Sequence, residues 1–155
     1  MYPNFQDQEY VITNLVGFEN FGFYRVTSGK LRTGDVIVFN APPEPDKDYI
    51  KRVIGVPGDT VLLKNGKVYI NNKLLDESKY LKPDIQTLGG AFLPDNKPLK
   101  IPPDKYFVLG DNRMFSSDSR EWGLVDRSLI VGKSAFIYWP PGKMGFVSNP
   151  YISKN

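Results

Sequence analysis

The stretch of residues 49–59 reads Tyr49-Ile50-Lys51-Arg52-Val53-Ile54-Gly55-Val56-Pro57-Gly58-Asp59 and is central to the chain. Its first half is rich in β-branched residues and its second half is Gly-x-Pro-Gly-Asp, which predicts a strand that runs into a tight turn. Strand alternation places Lys51 between Tyr49 and Val53 on one face. Burial beside these two side chains would lower the pKa of the Lys51 amine, which makes Lys51 a candidate base. The alternative is a lysine that extends its ammonium group to water.

Further apolar runs on both sides of this stretch predict short strands separated by Gly/Pro turns. These runs cover residues 9–15, 35–40, 60–63, 67–70, 106–109, 124–125, 129–131 and 134–139. Asn65-Gly66 lies between two of them and predicts a hairpin turn. A helical period is almost absent, with one short helical possibility near residues 74–80. The pattern predicts an all-β, barrel-like fold of short, mostly antiparallel strands.

The connecting segments predict one domain over residues 1–155 with a single insert. The proline-rich run 41–46 is expected to form an extended loop without regular ladder bonds. Prolines, glycines and lysines mark the insert at about 71–104, and the tail 142–155 is expected to be loosely held. The aromatic segment 16–24 allows two interpretations, a buried irregular piece or an exposed surface that dips into a membrane interface.

Composition excludes several classes of site. The chain has neither histidine nor cysteine, so a Ser-His-Asp triad, a thiol nucleophile, a disulfide and the usual zinc sites are impossible. A hydrolase built from this sequence needs Lys, Asp, Glu or Tyr as its base. The net charge of +3 comes from interspersed charges rather than a basic stripe, which argues against a nucleic-acid partner. No apolar run approaches the roughly 18 residues of a membrane helix.

A second cluster of reactive residues follows the predicted strand at 106–109. It reads Gly110-Asp111-Asn112-Arg113-Met114-Phe115-Ser116-Ser117-Asp118-Ser119-Arg120-Glu121-Trp122-Gly123. Asp and Ser side chains order such a loop through local hydrogen bonds, and Arg113 and Arg120 can pair with Asp111 and Asp118. A rigid loop without chemistry is the simplest interpretation. A calcium loop is disfavoured, because the central Gly and terminal Glu of the helix–loop–helix calcium motif are missing.

Both stretches resemble signatures of the bacterial type I signal peptidases. Residues 49–59 are similar to the lysine-bearing signature of that family, and residues 110–123 to its Gly-Asp-Asn-Arg-x-x-Ser-x-Asp-Ser-Arg-x-Trp-Gly signature. Gly34-Asp35-Val36-Ile37-Val38-Phe39 and the run from Val131 to Trp139 resemble two further strands of the family. Order and spacing agree across most of residues 1–140 outside the insert.

The resemblance implies a serine endopeptidase that works by a Ser–Lys dyad and needs no metal or cofactor. Lys51 is then the general base, and Ser116 orients its amine. The expected supports of the loop are Asp111, Arg113, Asp118 and Arg120. The expected substrate-binding residues are Met1, Pro3, Tyr49 and Ile50. Signal peptides of preproteins with an Ala-x-Ala type site are the implied substrates, and a lipid surface is the implied second partner.

The family's nucleophile is a serine in Ser-Met-x-Pro-Thr/Asn-Leu/Phe, whereas this chain begins Met1-Tyr2-Pro3-Asn4-Phe5. The nucleophile is therefore expected immediately before Met1, and the chain of residues 1–155 is expected to be inactive. Ser28 is the nearby substitute but lacks the family motif. In the full-length protein, the resemblance implies a membrane anchor and a catalytic domain on the extracytoplasmic side of the bacterial cytoplasmic membrane.

The sequence departs from the family at Met114-Phe115, where polar Asp-Asn is common. The change adds apolar surface before Ser116 and leaves both candidate catalytic residues in place. Two other classes of protein remain open. One is a catalytically silent β-barrel module that binds peptides or a membrane surface. The other is the related self-cleaving repressor fold, which is disfavoured because no DNA-binding helix pair precedes the strands.

Overall fold

The computed structural model describes residues 10–15 and 30–152. Its strands are β1 (Tyr10–Leu15), β2 (Val36–Ala41), β3 (Glu44–Gly55), β4 (Thr60–Lys64), β5 (Lys67–Ile70), β6 (Lys73–Leu74), β7 (Leu99–Lys100), β8 (Lys105–Leu109), β9 (Val125–Asp126), β10 (Ile130–Trp139) and β11 (Gly145–Phe146). The helices of the described ranges are short: α1 (Ser119–Trp122) and three-residue 3₁₀ helices at Arg113–Phe115, Arg127–Leu129 and Pro141–Lys143. Among the described residues, every helix is far shorter than a membrane span requires.

The strands form two antiparallel sheets. The larger has the order β1-β10-β2-β3-β8-β9 with β11 beside β10, and the smaller has the order β6-β5-β4-β7. Every strand pair of the described residues is antiparallel. The predicted all-β class is confirmed, whereas the described strand pairs do not close a barrel.

β3 and β8 separate two hydrophobic clusters, because each strand sends alternate side chains to opposite faces. Val53 and Val108 belong to the first cluster, with Ile37 and Phe39 of β2. The second cluster fills the space towards the smaller sheet and consists of Ile54, Val61, Leu63, Val68, Leu93, Ile101, Phe107 and Leu109. Burial on both faces explains why β8 reads as a continuous apolar run. The predicted face of Lys51 is therefore the face of the first cluster.

The hairpin predicted around Asn65-Gly66 is confirmed. Lys64 pairs with Lys67, and Asn65 and Gly66 have φ angles of 52° and 69°. Positive φ at both central residues is the geometry of the two-residue turn whose twist matches the flanking strands.

The expectation of a loop without ladder bonds at residues 41–46 holds only in part, because strands β2 and β3 extend into that segment. β3 begins at Glu44, which pairs with Ala41, so only residues 42 and 43 form the turn. The next pair is Asn40 with Asp48. Residues 45–47 bulge out of the ladder, and Pro45 thus sits where no regular donor is required.

The helix considered near residues 74–80 does not form. Leu75 N–H donates to the carbonyl of Val68 and extends the smaller sheet. A turn follows, in which the Asp76 carboxylate accepts from the backbone and hydroxyl of Ser78. Local side-chain bonds of this kind compete with helix formation.

Two expectations about the C-terminal part also change. Residues 129–131 and 134–139 lie largely in one strand, β10, rather than in two. The tail is anchored through Asn149 and Tyr151, which hydrogen-bond to residues more than seventy positions earlier. The predictions on segment 16–24 and Ser28 lie outside the described residues.

Candidate active site

Lys51 lies near the middle of β3, opposite Ile37 of β2. Its Nζ atom lies 5.2 Å from the centre of the Tyr49 ring, on the face where Val53 is fully buried. The predicted flanking of the lysine by an aromatic and a β-branched residue is confirmed. The amine is held against apolar groups and is partly buried.

Burial is the main reason why the pKa of Lys51 is lowered from its ordinary value of 10.5. The carboxylates of Asp118 and Asp111 oppose this change, and the Arg120 guanidinium adds to the lowering of the pKa. Within the described part of the chain, no carboxylate forms an ion pair with Lys51. An amine with a lowered pKa and no ion-pair partner is suited to accept a proton.

Ser116 lies next to Lys51 across Gly110. A Cβ atom on Gly110 would lie 2.0 Å from Ser116 Oγ and 3.7 Å from Lys51 Cδ, so only glycine fits between them. The Ser116 hydroxyl is buried and has no hydrogen-bond partner among the described residues. The hydrogen bond from Ser116 to Lys51 is thus not formed in this structure. That orienting role stays a prediction.

Asp118 holds the loop together from its centre. Its carboxylate accepts hydrogen bonds from Gly110 N at 3.0 Å and from Arg120 Nε and Nη2 at 2.8 and 2.9 Å. The same side chain caps α1 by accepting from Arg120 N. Arg120 Nη2 also donates to the carbonyl of Arg113 at 2.8 Å. The predicted Asp118–Arg120 pair therefore fixes both Gly110 and the turn before Ser116.

The predicted pair of Asp111 with Arg113 is replaced by two other ion pairs. Asp111 pairs with Arg52, whose Nε and Nη2 donate to the two carboxylate oxygens at 2.9 and 2.8 Å. Arg113 pairs instead with Glu77 of the insert at 2.6 Å and also donates to Gly110 O at 3.1 Å. Proximity in sequence suggested Asp111 for Arg113, but the sheet brings Arg52 nearer to Asp111.

The predicted substrate-binding residues are described only in part. Tyr49 and Ile50 are half-buried on β3, and the Tyr49 hydroxyl donates to Glu44. Met1 and Pro3 lie outside the described residues. Met114 and Phe115 are 67% and 85% exposed, so the predicted apolar surface before Ser116 is present.

Sequence reasoning missed three side chains that hold the site: Arg52, Glu77 and Tyr80. Arg52 is buried, and its guanidinium carbon lies 4.2 Å from the centre of the Tyr80 ring. The Tyr80 hydroxyl donates to Glu77 at 2.8 Å. Strand alternation places Arg52 on the face opposite Lys51, but no local signal marks the two insert residues.

The described residues contain no cluster of His, Cys, Asp and Glu that could hold a metal ion.

Comparison with known proteins identifies the family of the chain. Residues 1–139 match the family model described as signal peptidase, peptidase S26. The chain is 40% identical to signal peptidase IB of Staphylococcus aureus strain MRSA252, in an alignment covering all of this chain and 81% of that protein. It is 39% identical to signal peptidase I of Bacillus caldolyticus over 94% of this chain and 78% of the relative.

A solved structure shows the same fold. The crystal structure of a signal peptidase I from Enterococcus faecalis V583 matches with a TM-score of 0.55 and 29% identity, over 68% of this chain and 97% of the other. Family, relatives and fold agree, and the chain belongs to the signal peptidases of the S26 peptidase family.

Proposed function

We propose that this chain is the catalytic part of a serine endopeptidase that removes signal peptides from secreted preproteins by a Ser–Lys dyad. The observation that carries the proposal is Lys51, an amine buried against apolar groups with a lowered pKa and an unpartnered hydroxyl, Ser116, beside it. Family membership supports the substrate class.

The proposed nucleophile is a serine directly before Met1. Neutral Lys51 removes the proton of its hydroxyl as the oxygen attacks the scissile carbonyl. The protonated Lys51 then donates that proton to the leaving amine, and an acyl ester of the serine remains. Water, deprotonated by Lys51, hydrolyses the ester and restores the serine.

Ser116 acts as a positioning residue in this scheme. Its hydroxyl is the proposed hydrogen-bond partner of the Lys51 amine, since Gly110 leaves no side chain between Ser116 and Lys51. The Asp118–Arg120 ion pair braces the loop, and the Asp111–Arg52 ion pair ties the loop to β3. Tyr49 and Ile50, with Met1 and Pro3, are the proposed contacts for the small residues of a small-x-small site. The proposed place of cleavage is the extracytoplasmic side of the bacterial cytoplasmic membrane.

The test is to place a serine before Met1 and to incubate the protein with a preprotein that carries an Ala-x-Ala site. We expect cleavage after the second alanine, and loss of cleavage by at least about a hundredfold in Lys51→Ala, since general-base catalysis contributes on this order. Lys64→Ala, at an exposed lysine in the smaller sheet, is the matched control. Cleavage that survives Lys51→Ala would refute the dyad.

The 155-residue chain without the added serine is the second arm of the test. We expect no cleavage from it under the same conditions. Turnover by the unextended chain would identify another residue as the nucleophile, and Ser28→Ala in that chain would then be the variant to measure.

A further inference from the structure

The C-terminal segment Asn149–Tyr151, here called the strap, forms hydrogen bonds with the residues just before β2 and with the insert. Asn149 Nδ2 donates to Thr33 O at 2.9 Å and to Asp35 Oδ1 at 2.7 Å, next to the start of β2. The Tyr151 hydroxyl donates to Asp76 O at 2.8 Å, in the insert. The Asn149 carboxamide also accepts from Tyr151 N, which orders the strap itself.

The strap packs against Gly34 and Tyr80, which both contact the Arg52 guanidinium. Gly34 packs so closely beneath it that a Cβ atom there would lie 2.5 Å from Asn149 Oδ1 and 2.6 Å from Tyr151 Cδ2. The carbonyl of Gly34 accepts from Arg52 Nη1 at 2.9 Å. The Tyr151 ring meets the Tyr80 ring edge-on, with centroids 6.4 Å apart, and Tyr80 stacks on the Arg52 guanidinium. Burial raises the pKa of Tyr80 above its usual range, so its hydroxyl stays protonated and keeps donating to Glu77.

Arg52 in turn joins the strand of Lys51 to the loop of Ser116. It is the next residue after Lys51 in β3, and its guanidinium donates two hydrogen bonds to the Asp111 carboxylate. Asp111 follows Gly110, the residue that separates Lys51 from Ser116. A shift of Arg52 would therefore change the spacing between β3 and the loop, where the two proposed catalytic side chains meet.

We propose that Asn149 and Tyr151 are positioning residues for the Lys51–Ser116 pair, acting through Gly34, Tyr80 and Arg52. This inference rests on the proposed function of Lys51 and adds that the strap, remote in sequence from both signatures, belongs to the catalytic machinery. The strap would keep water from the amine by holding the loop against β3.

The experiment compares Tyr151→Ala and Asn149→Ala with Tyr151→Phe, which keeps the ring on Gly34 and Tyr80, and with Ile152→Ala at the exposed neighbour. The pKa of Lys51 is read from the pH dependence of its acylation, by mass spectrometry, on the 155-residue chain. We expect the two alanine substitutions to shift this pKa upward, Tyr151→Phe to shift it less because it loses the hydroxyl anchor but keeps the ring, and Ile152→Ala to leave it unchanged. In the form with an added serine, kcat should fall about tenfold with KM nearly unchanged.

A lowered melting temperature together with an unchanged Lys51 pKa and kcat would show that the strap serves stability alone, and the inference would be wrong. If Tyr151→Ala does not fold, Asn149→Ala decides, because it leaves both aromatic rings in place. Failure of the proposed function looks different. In that case the unaltered chain would show an ordinary Lys51 pKa, or the serine-bearing form would cleave without Lys51.

Discussion

Lys51 makes the stability of this protein depend on pH. The pKa of Lys51 is lower in the folded protein than in the unfolded chain, because folding buries the amine. Between the two pKa values the unfolded chain binds more protons than the folded protein, so stability falls as the pH falls through that window. At pH values below the folded-state pKa, the loss of stability from burying the charged amine is constant, and above pH 10.5 this loss disappears.

Replacing Lys51 by Met should therefore stabilise the protein at neutral pH. We expect a gain of about 1.4 kcal/mol for each unit by which the pKa is lowered, shrinking as the pH rises towards 10.5. Urea unfolding at several pH values between 7 and 10.5 measures it. Lys64→Met, at an exposed site, should show no such trend. Equal pH dependence in the two variants would contradict the burial of Lys51.

Ser116 should matter through its hydroxyl rather than through its volume. In the serine-bearing form we expect Ser116→Ala to lower kcat by about ten- to a hundredfold and to move the pH profile, with little change of KM. Steady-state kinetics across a pH range provides the measurement. Ser117→Ala is the matched control, since Ser117 is exposed and adjacent. A Ser116 variant with the same pH profile as the parent would remove Ser116 from the mechanism.

At the scale of elements, the Asn65-Gly66 hairpin sets the register of the smaller sheet. Gly66 has φ +69°, and a Cβ atom there would lie 3.2 Å from the Gln86 side chain. We expect Gly66→Ala to cost about 1 kcal/mol, because a side chain is disfavoured in the left-handed region. Thermal unfolding measures the loss. The control is Gly142→Ala, where a Cβ atom meets open space, and similar losses in both would contradict the turn geometry.

The elements show which parts of the fold can be predicted from local sequence. Strands β2, β4, β5 and β8 are framed by turn residues and have apolar runs, so their positions follow from pattern. The start of β3 could not be predicted, because Pro45 argues against a strand unless a bulge removes it from the ladder. Such a bulge depends on the partner strand.

The active site shows the same division between local and distant information. Lys51 and Ser116 lie in two continuous signatures, and the Asp118–Arg120 pair spans two residues, so local sequence is sufficient for them. The partners of Asp111 and Arg113 come from β3 and from the insert, 59 and 36 positions away. The identity of these partners depends on tertiary packing, which no local sequence pattern indicates.

At the scale of the whole molecule, the insert is part of the site's support. Glu77 reaches Arg113, whose side chain is fully buried, with hydrogen bonds at 2.6 and 3.2 Å. Thr87 accepts from the same guanidinium, and Leu88 O accepts from Arg120 at 3.3 Å. The segment that varies most from a regular β pattern therefore braces the loop that carries Ser116.

We therefore expect Glu77→Ala to destabilise the fold strongly, although Glu77 lies in a proline-rich insert. Without Glu77 the buried Arg113 keeps its charge but loses its carboxylate partner, and we expect a loss of about 3 kcal/mol in the free energy of unfolding. Denaturant unfolding measures this loss, and Asp84→Ala, an exposed acidic residue of the same insert, is the control with an expected change below about 0.5 kcal/mol. Equal and small changes in both variants would mean that the insert is independent of the loop. The expected difference instead makes the insert a structural component of the active site, because Arg113 also donates to Gly110 O between Lys51 and Ser116.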